Sequence, residues 1–160
     1  MRLSRFPVLL LLLLLGLAGC SPSMLTKADA DWAKEKLAGP TLFARPADRV
    51  GERRILGGVI LSVRQEPGRA TIRLLAYPLD KKDYPETGKP ALGPAILLWS
   101  GAPLSTLFVS GNRLVVAGTV LSPGPDGTPR IRARVFSPDT CVSAGGFVCR
   151  RSFLGCSCHN

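Results

Sequence analysis

Residues 55–77 read ILGGVILSVRQEPGRATIRLLAY, two apolar or β-branched runs on either side of RQEPGR. Pro67 presets the first central φ of a type II turn and Gly68 supplies the positive φ needed at the second, so the stretch predicts a β-hairpin. In its second arm Ile72, Leu74 and Ala76 alternate with Thr71, Arg73 and Leu75, which directs one face to a core and the other partly to water. The closely spaced Gly57 and Gly58 have no G-x-G-x-x-G context, no following helix and no Lys-Ser/Thr, so a phosphate loop is excluded and a bulge bending the first arm is expected.

Further along the chain, PLDKKDYPETGKP (78–90) is a polar loop, while PAILLWS (94–100) and RLVVAGTVL (113–121) are two more apolar runs. Gly118 marks a bulge or a barrel bend. RIRARVF (130–136) alternates strictly, with Arg130, Arg132 and Arg134 on one side and Ile131, Ala133 and Val135 on the other. Four or five short strands with few helices define a mainly β chain. The expected architecture is a small antiparallel β-barrel of the OB type, with an open β-meander as the alternative. On an edge strand the three arginines would stand about 6.8 Å apart, a spacing suited to several phosphates and equally to deterring edge-to-edge aggregation.

Towards the N-terminus, Thr26 to Leu37 is a candidate short helix, with Thr26 and Asp29 placed as a weak capping box. Trp32 and Leu37 are its only sizeable apolar groups, and Gly39-Pro40 stops it. It lies in a stretch expected to be a flexible tether.

Before the tether, Arg2 and Arg5 precede an apolar run from Phe6 to Ala18. As a helix it would reach only about 20 Å, short of a hydrocarbon core of about 30 Å, so it reads as an export signal. The run ends LLGLAGCS (14–21), and Leu17, Ala18, Gly19 and Cys20 resemble the lipobox of bacterial lipoproteins. That resemblance implies cleavage between Gly19 and Cys20 and a diacylglycerol on the Cys20 sulfur. Two acyl chains suffice for stable anchoring, at about 0.8 kcal/mol per buried methylene. Ser21 stands where enteric lipoproteins retained at the inner membrane carry Asp, which implies passage to the outer membrane.

The chain has 160 residues, enough for one compact domain. Removing residues 1–19 takes away two of the 21 basic residues and none of the 11 acidic ones, and leaves a formal balance of +8. A cationic exported protein is attracted to anionic headgroups or phosphorylated surface sugars, although scattered Lys and Arg also simply solvate a surface. The expected organisation is a signal peptide (1–19), a lipidated tether (20–47), a β-domain (48–136) and an atypical Cys-rich tail (137–160), with tail disorder left open.

The lipobox followed by VGERRILGGVILSV (50–63), IRLLAYPLD (72–80), GKPALGPAILL (88–98) and GNRLVVAGTV (111–120) resembles the Slp-type, or starvation lipoprotein, outer membrane lipoprotein family of Gram-negative bacteria. The resemblance implies a non-enzymatic, lipid-anchored component of the cell envelope, linked to stationary phase or stress. Leu56 stands where the family carries an aromatic residue. The family's aromatic closing strand, ending in Leu-Trp or Val-Trp, is replaced by CVSAGGFVCRRSFLGCSCHN (141–160).

Once Cys20 is lipidated, Cys141, Cys149, Cys156 and Cys158 remain, an even number in a compartment that permits disulfides. Cys156 and Cys158 are too close to bond each other without strain, which favours pairing back to Cys141 or Cys149. A metal reading through Cys156, Cys158 and His159 matches no usual ligand spacing, and no metal or other cofactor is expected beyond the lipid. A third reading is a shifted reading frame downstream of Gly124.

Catalysis requires a nucleophile or metal, a base and charge-stabilising groups. His159 is the only histidine. Asp80, Asp83 and Glu86 are interleaved with Lys81, Lys82 and Lys89 in a solvated loop, and the serines lack a G-x-S-x-G elbow. An enzyme is not expected. Nor is a nucleic-acid partner, because the aromatics are dispersed and export removes the ligand. The expected partners are outer membrane lipid and either another envelope protein or, through Arg130, Arg132 and Arg134, lipopolysaccharide or another anionic glycan.

Overall fold

A computed structural model describes residues 24–33, 41–104, 106–138, 140–142, 148–152 and 155–157, the last three segments as backbone alone. Strands β1 (Arg53–Glu66), β2 (Arg69–Tyr77), β3 (Gly93–Ser100), β4 (Arg113–Leu121) and β5 (Arg130–Pro138) form a closed barrel in the order β1-β2-β3-β5-β4. All neighbours are antiparallel except β3 and β5, which run parallel with Ile96 beside Arg130 and Leu98 beside Arg132. This is the OB strand order, and the open meander does not form. The hairpin turn is as predicted, with Glu66 opposite Arg69 and Gly68 at φ +71°.

β1 is 14 residues long because it serves two partners, β4 through residues 53–59 and β2 through residues 57–66. A strand wrapping so far must bend, and the bend corrects one expectation. The register with β2 stays regular through Gly57 and Gly58 and shifts between Ile60 and Ser62, leaving Leu61 as the extra residue. The glycine pair answers to close approach instead. A Cβ on Gly58 would stand 2.1 Å from the Leu75 carbonyl oxygen, and one on Gly57 would stand 2.5 Å from the Leu79 side chain. A second register shift falls beside Gly118, as expected, but the extra residue is Arg134 on β5. Because of it, both Arg134 and Val135 point away from the barrel interior and Phe136 returns to it.

The interior holds Leu56, Ile60, Ile72, Leu74, Leu97, Leu114, Val116, Val120 and Ile131, all fully buried. A short helix α1 (Lys27–Ala33) and a single turn α2 (Thr41–Ala44) precede the barrel. Leu42 of α2 is buried in the core and Phe43 packs beside it against Gly93, plugging the end where β3 begins. At the other end Trp99 and Phe108 each pack against Phe136 in tilted and edge-to-face contacts, with ring centroids 5.2 and 5.3 Å apart, and close the barrel.

The stretch expected to be a tether is packed in large part. Thr26 caps α1 as predicted, its hydroxyl accepting from the Asp29 N–H at 3.2 Å and donating to the Asp29 carboxylate at 2.6 Å. Residues 34–37 of the expected helix lie outside the described residues. Met24, Leu25 and Ala33 are buried against the outward side chains of Ile55, Val115 and Ala117, with Trp32, Leu79, Tyr84 and Val135 around them. The helix thus closes a second apolar layer on the outside of β1 and β4. This explains why residues 114–118 of β4 are buried without alternation: one set faces the core and the other faces α1.

Beside that layer, Arg54 and Arg49 both donate to the Glu52 carboxylate, Arg54 through Nε at 2.9 Å and Arg49 at 3.2 Å. The hydrogen bonds from Arg54 do most to hold the Glu52 carboxyl below its ordinary value of 4.5. A lowered folded pKa stabilises the fold above that ordinary value, and the contribution is lost as pH falls through the lower, folded one. Thermal unfolding between pH 6 and pH 3 should therefore show a falling acid limb, and Glu52→Gln should make it shallower.

Candidate functional site

Three carboxylates that the sequence places together shape the 78–92 loop. Asp80 accepts backbone N–H groups from Lys82 at 2.7 Å and Tyr84 at 2.9 Å, an Asx-type turn. Glu86 pairs with Lys89 at 2.7 Å, and Asp83 is buried with φ +66°. A bridge between Leu79 and Pro85 ties the loop across its neck and lays Leu79 and Tyr84 on the outer apolar layer.

Arg130, Arg132 and Arg134 all leave the barrel outward, but they do not form one stripe on an edge. β5 is paired on both sides, to β3 and to β4, so the edge-strand expectation is corrected. The bulge turns Arg134 towards α1, where its guanidinium lies 4.7 Å from the centre of the Trp32 ring, and Arg53 lies 5.1 Å from the same ring. Trp32 thereby pins α1 to β1 and β5 by cation–π contact. Arg134 belongs to that clasp and is removed from the candidate anion site.

The barrel register supplies other arginines in its place. Across the outer face, Arg73, Ile96 and Arg130 stand side by side on β2, β3 and β5. In the next row Arg64, Thr71, Leu98 and Arg132 stand side by side on β1, β2, β3 and β5. Strands are about 4.8 Å apart and alternate residues about 6.8 Å apart. Four arginines therefore frame a small patch floored by the half-buried Ile96 and Leu98. At the hairpin end of this face, Arg64, Arg69, Thr71, Leu98, Trp99 and Arg130 line an open groove of about 450 Å³.

Within the groove Glu66 bridges Arg64 at 3.1 Å and Arg69 at 2.5 Å. Asp126, in the β4–β5 loop, accepts from the Thr128 hydroxyl at 2.8 Å and the Thr128 N–H at 3.1 Å. Those bonds lead the causes that hold its carboxyl below the ordinary value, and Arg73 adds a smaller pull. The face carries five arginines against these two acids.

No local pattern marks Arg64, Arg69 or Arg73 as a site residue. Arg73 is visible in the sequence as a solvent-facing strand residue, but its neighbour Arg130 is 57 positions away and only the β3–β5 pairing joins them. The lipobox residues Gly19 and Cys20 lie outside the described residues, as do Cys158 and His159. In the tail, β6 (Thr140–Val142), β7 (Val148–Ser152) and β8 (Gly155–Ser157) form a three-stranded antiparallel sheet. Its backbone register sets Cys141 opposite Cys149 and Cys156 opposite Arg151.

Residues 17–124 match the family model described as Outer membrane lipoprotein Slp family. The match takes in Cys20, the docked N-terminal segment and strands β1 to β4. It stops before β5 and the Cys-rich tail. No curated protein matches the chain.

Proposed function

The chain belongs to the outer membrane lipoprotein Slp family, and from that premise we propose that it is a non-enzymatic structural or adaptor component of the cell envelope, held in the outer membrane by acyl chains on Cys20. The observation that carries this reading is the reach of the family match, which begins at Leu17 inside the lipobox. It is supported by the packing of the segment that follows. With Met24 and Leu25 buried on the barrel, at most about 14 Å of extended chain separates the Cys20 Cα from the first docked residue. The barrel is then carried close to the bilayer. A link to stationary phase or stress belongs to the same reading, and predicts a rise in the protein as growth stops.

The test is the fate of Cys20. Full-length protein made in a Gram-negative host should take up labelled palmitate and sediment with the outer membrane. Cys20→Ala should lose the label and the mature N-terminus at residue 20, and a chain that keeps either would refute the anchor.

A second reading, a lipid-anchored binding module for lipopolysaccharide or another anionic envelope glycan, is favoured by one specific observation. Arg130 and Arg132 are directed outward beside Arg73 and Arg64, away from the surface that α1 covers. Its first check is whether the protein binds a phosphorylated glycan in a salt-dependent way.

A further inference from the structure

The two sides of the barrel are used differently. Around the ring β1-β2-β3-β5-β4, the seam between β1 and β4 is opposite β3. The seam is covered by α1 and the 78–92 loop, and the Met24 N–H donates to the Lys82 carbonyl there at 3.2 Å. Met24, four residues from Cys20, is therefore fixed on the β1–β4 side, while the arginine-framed patch lies across β2, β3 and β5 and the groove extends from it to the hairpin end of β1.

We infer that this groove and the arginine-framed patch beside it form one binding site for a phosphorylated sugar chain presented from the side facing away from the anchoring leaflet, with Arg64, Arg69 and Arg130 of the groove and Arg73 of the patch holding phosphates and Leu98 and Thr71 flooring the sugar. The inference rests on the anion-binding reading and gives it a place, a residue set and a direction.

The chemistry fits this ligand class. Guanidinium groups recognise phosphate oxygens in a bidentate manner, and they stand here on rigid paired strands, about two strand spacings apart across Ile96. Between them Ile96 and, in the next row, Leu98 make an apolar, half-buried floor, as a pyranose face requires. Glu66 holds Arg64 and Arg69 in place and leaves Arg73, Arg130 and Arg132 as the excess positive charge. In other barrels of this strand order the β2–β3 face and the β1–β2 loop take oligosaccharides, a fold-level analogy that points to the same surface. A headgroup of the anchoring leaflet is disfavoured because Met24, four residues from Cys20, is docked on the β1–β4 seam, across the barrel from β3 and its flanking arginines.

The experiment uses the full-length lipidated protein in phosphatidylcholine vesicles, titrated with the soluble phosphorylated core oligosaccharide released from lipopolysaccharide. The dephosphorylated oligosaccharide is the control. The wild type should bind the phosphorylated form, and Arg73→Glu with Arg130→Glu should weaken binding at least tenfold and flatten its salt dependence. Arg73→Gln with Arg130→Gln, which keeps the strands neutral and foldable, should weaken it in the same direction. Arg134→Gln should leave it unchanged.

Binding by the wild type that survives both double substitutions would overturn the groove and spare the anion-binding reading. No binding by the wild type would overturn both. Binding to vesicles containing intact lipopolysaccharide but not to the free oligosaccharide would overturn the outward-facing direction. The Cys20→Ala chain should bind the free oligosaccharide as well as the lipidated one, which separates failure of the anchor from failure of the site.

Discussion

Gly58→Ala should destabilise the barrel more than any other single methyl addition discussed here, by about 3 kcal/mol or more. The new Cβ would stand 2.1 Å from the Leu75 carbonyl oxygen and 2.9 Å from the Ala76 Cα, both backbone atoms of the paired strand. No side chain can rotate to relieve that contact, so β1 and β2 must separate where β1 also ends its pairing with β4. Two controls isolate the cause. Gly57→Ala meets the ends of the Leu79, Pro85 and Val115 side chains, of which the Leu79 end is free to shift, and should cost less while loosening the 78–92 loop. Gly68→Ala has open space around it and only a positive φ to maintain, which costs about 1–2 kcal/mol. Urea unfolding should rank the three with Gly58→Ala lowest, and equal midpoints for Gly58→Ala and Gly68→Ala would refute the close-approach argument.

Trp32→Ala carries the second large effect. It removes the ring that covers Val135 and the outer side of β1, and it releases Arg53 and Arg134 together. Truncating a packed tryptophan costs about 3–5 kcal/mol when it is fully buried, and the half-buried Trp32 should fall at the lower end, near 3 kcal/mol with its cation–π contacts. The loss should be local in character. Amide exchange should accelerate in α1 and on the outer residues of β4, while Leu74 and Leu97 in the interior keep their protection. Trp32→Phe, which keeps a ring for both guanidiniums, should recover most of the difference. With α1 undocked, protease should cut ahead of Thr41.

These two cases show where local pattern stopped being sufficient. The alternation in ATIRLLAY and the Pro67-Gly68 turn are properties of neighbours in the chain, so the hairpin could be read directly. The signal at Gly57 and Gly58 was also present, but two glycines fit either a bulge or a close approach, and only the partner strand distinguishes them. Likewise VVA at 115–117 lacks alternation, which is the mark of a strand covered on both sides. Its outer cover comes from Met24 to Ala33, some 80 or more positions earlier.

The arginines show the same limit most clearly. Strict alternation from Arg130 to Arg134 predicts one stripe, and a single extra residue opposite Ala117 and Gly118 breaks it, turning Arg134 to Trp32. The sequence by itself determined the β class, the hairpin, the capped start of α1 and the family, because each depends on spacing or order within a short span. Tertiary structure alone decided between the closed barrel and the open meander, that Met24 to Ala33 form an outer layer on it, and which arginines share a face. Those outcomes depend on register between distant strands, and register is set by the packing of the whole core, which no local run encodes.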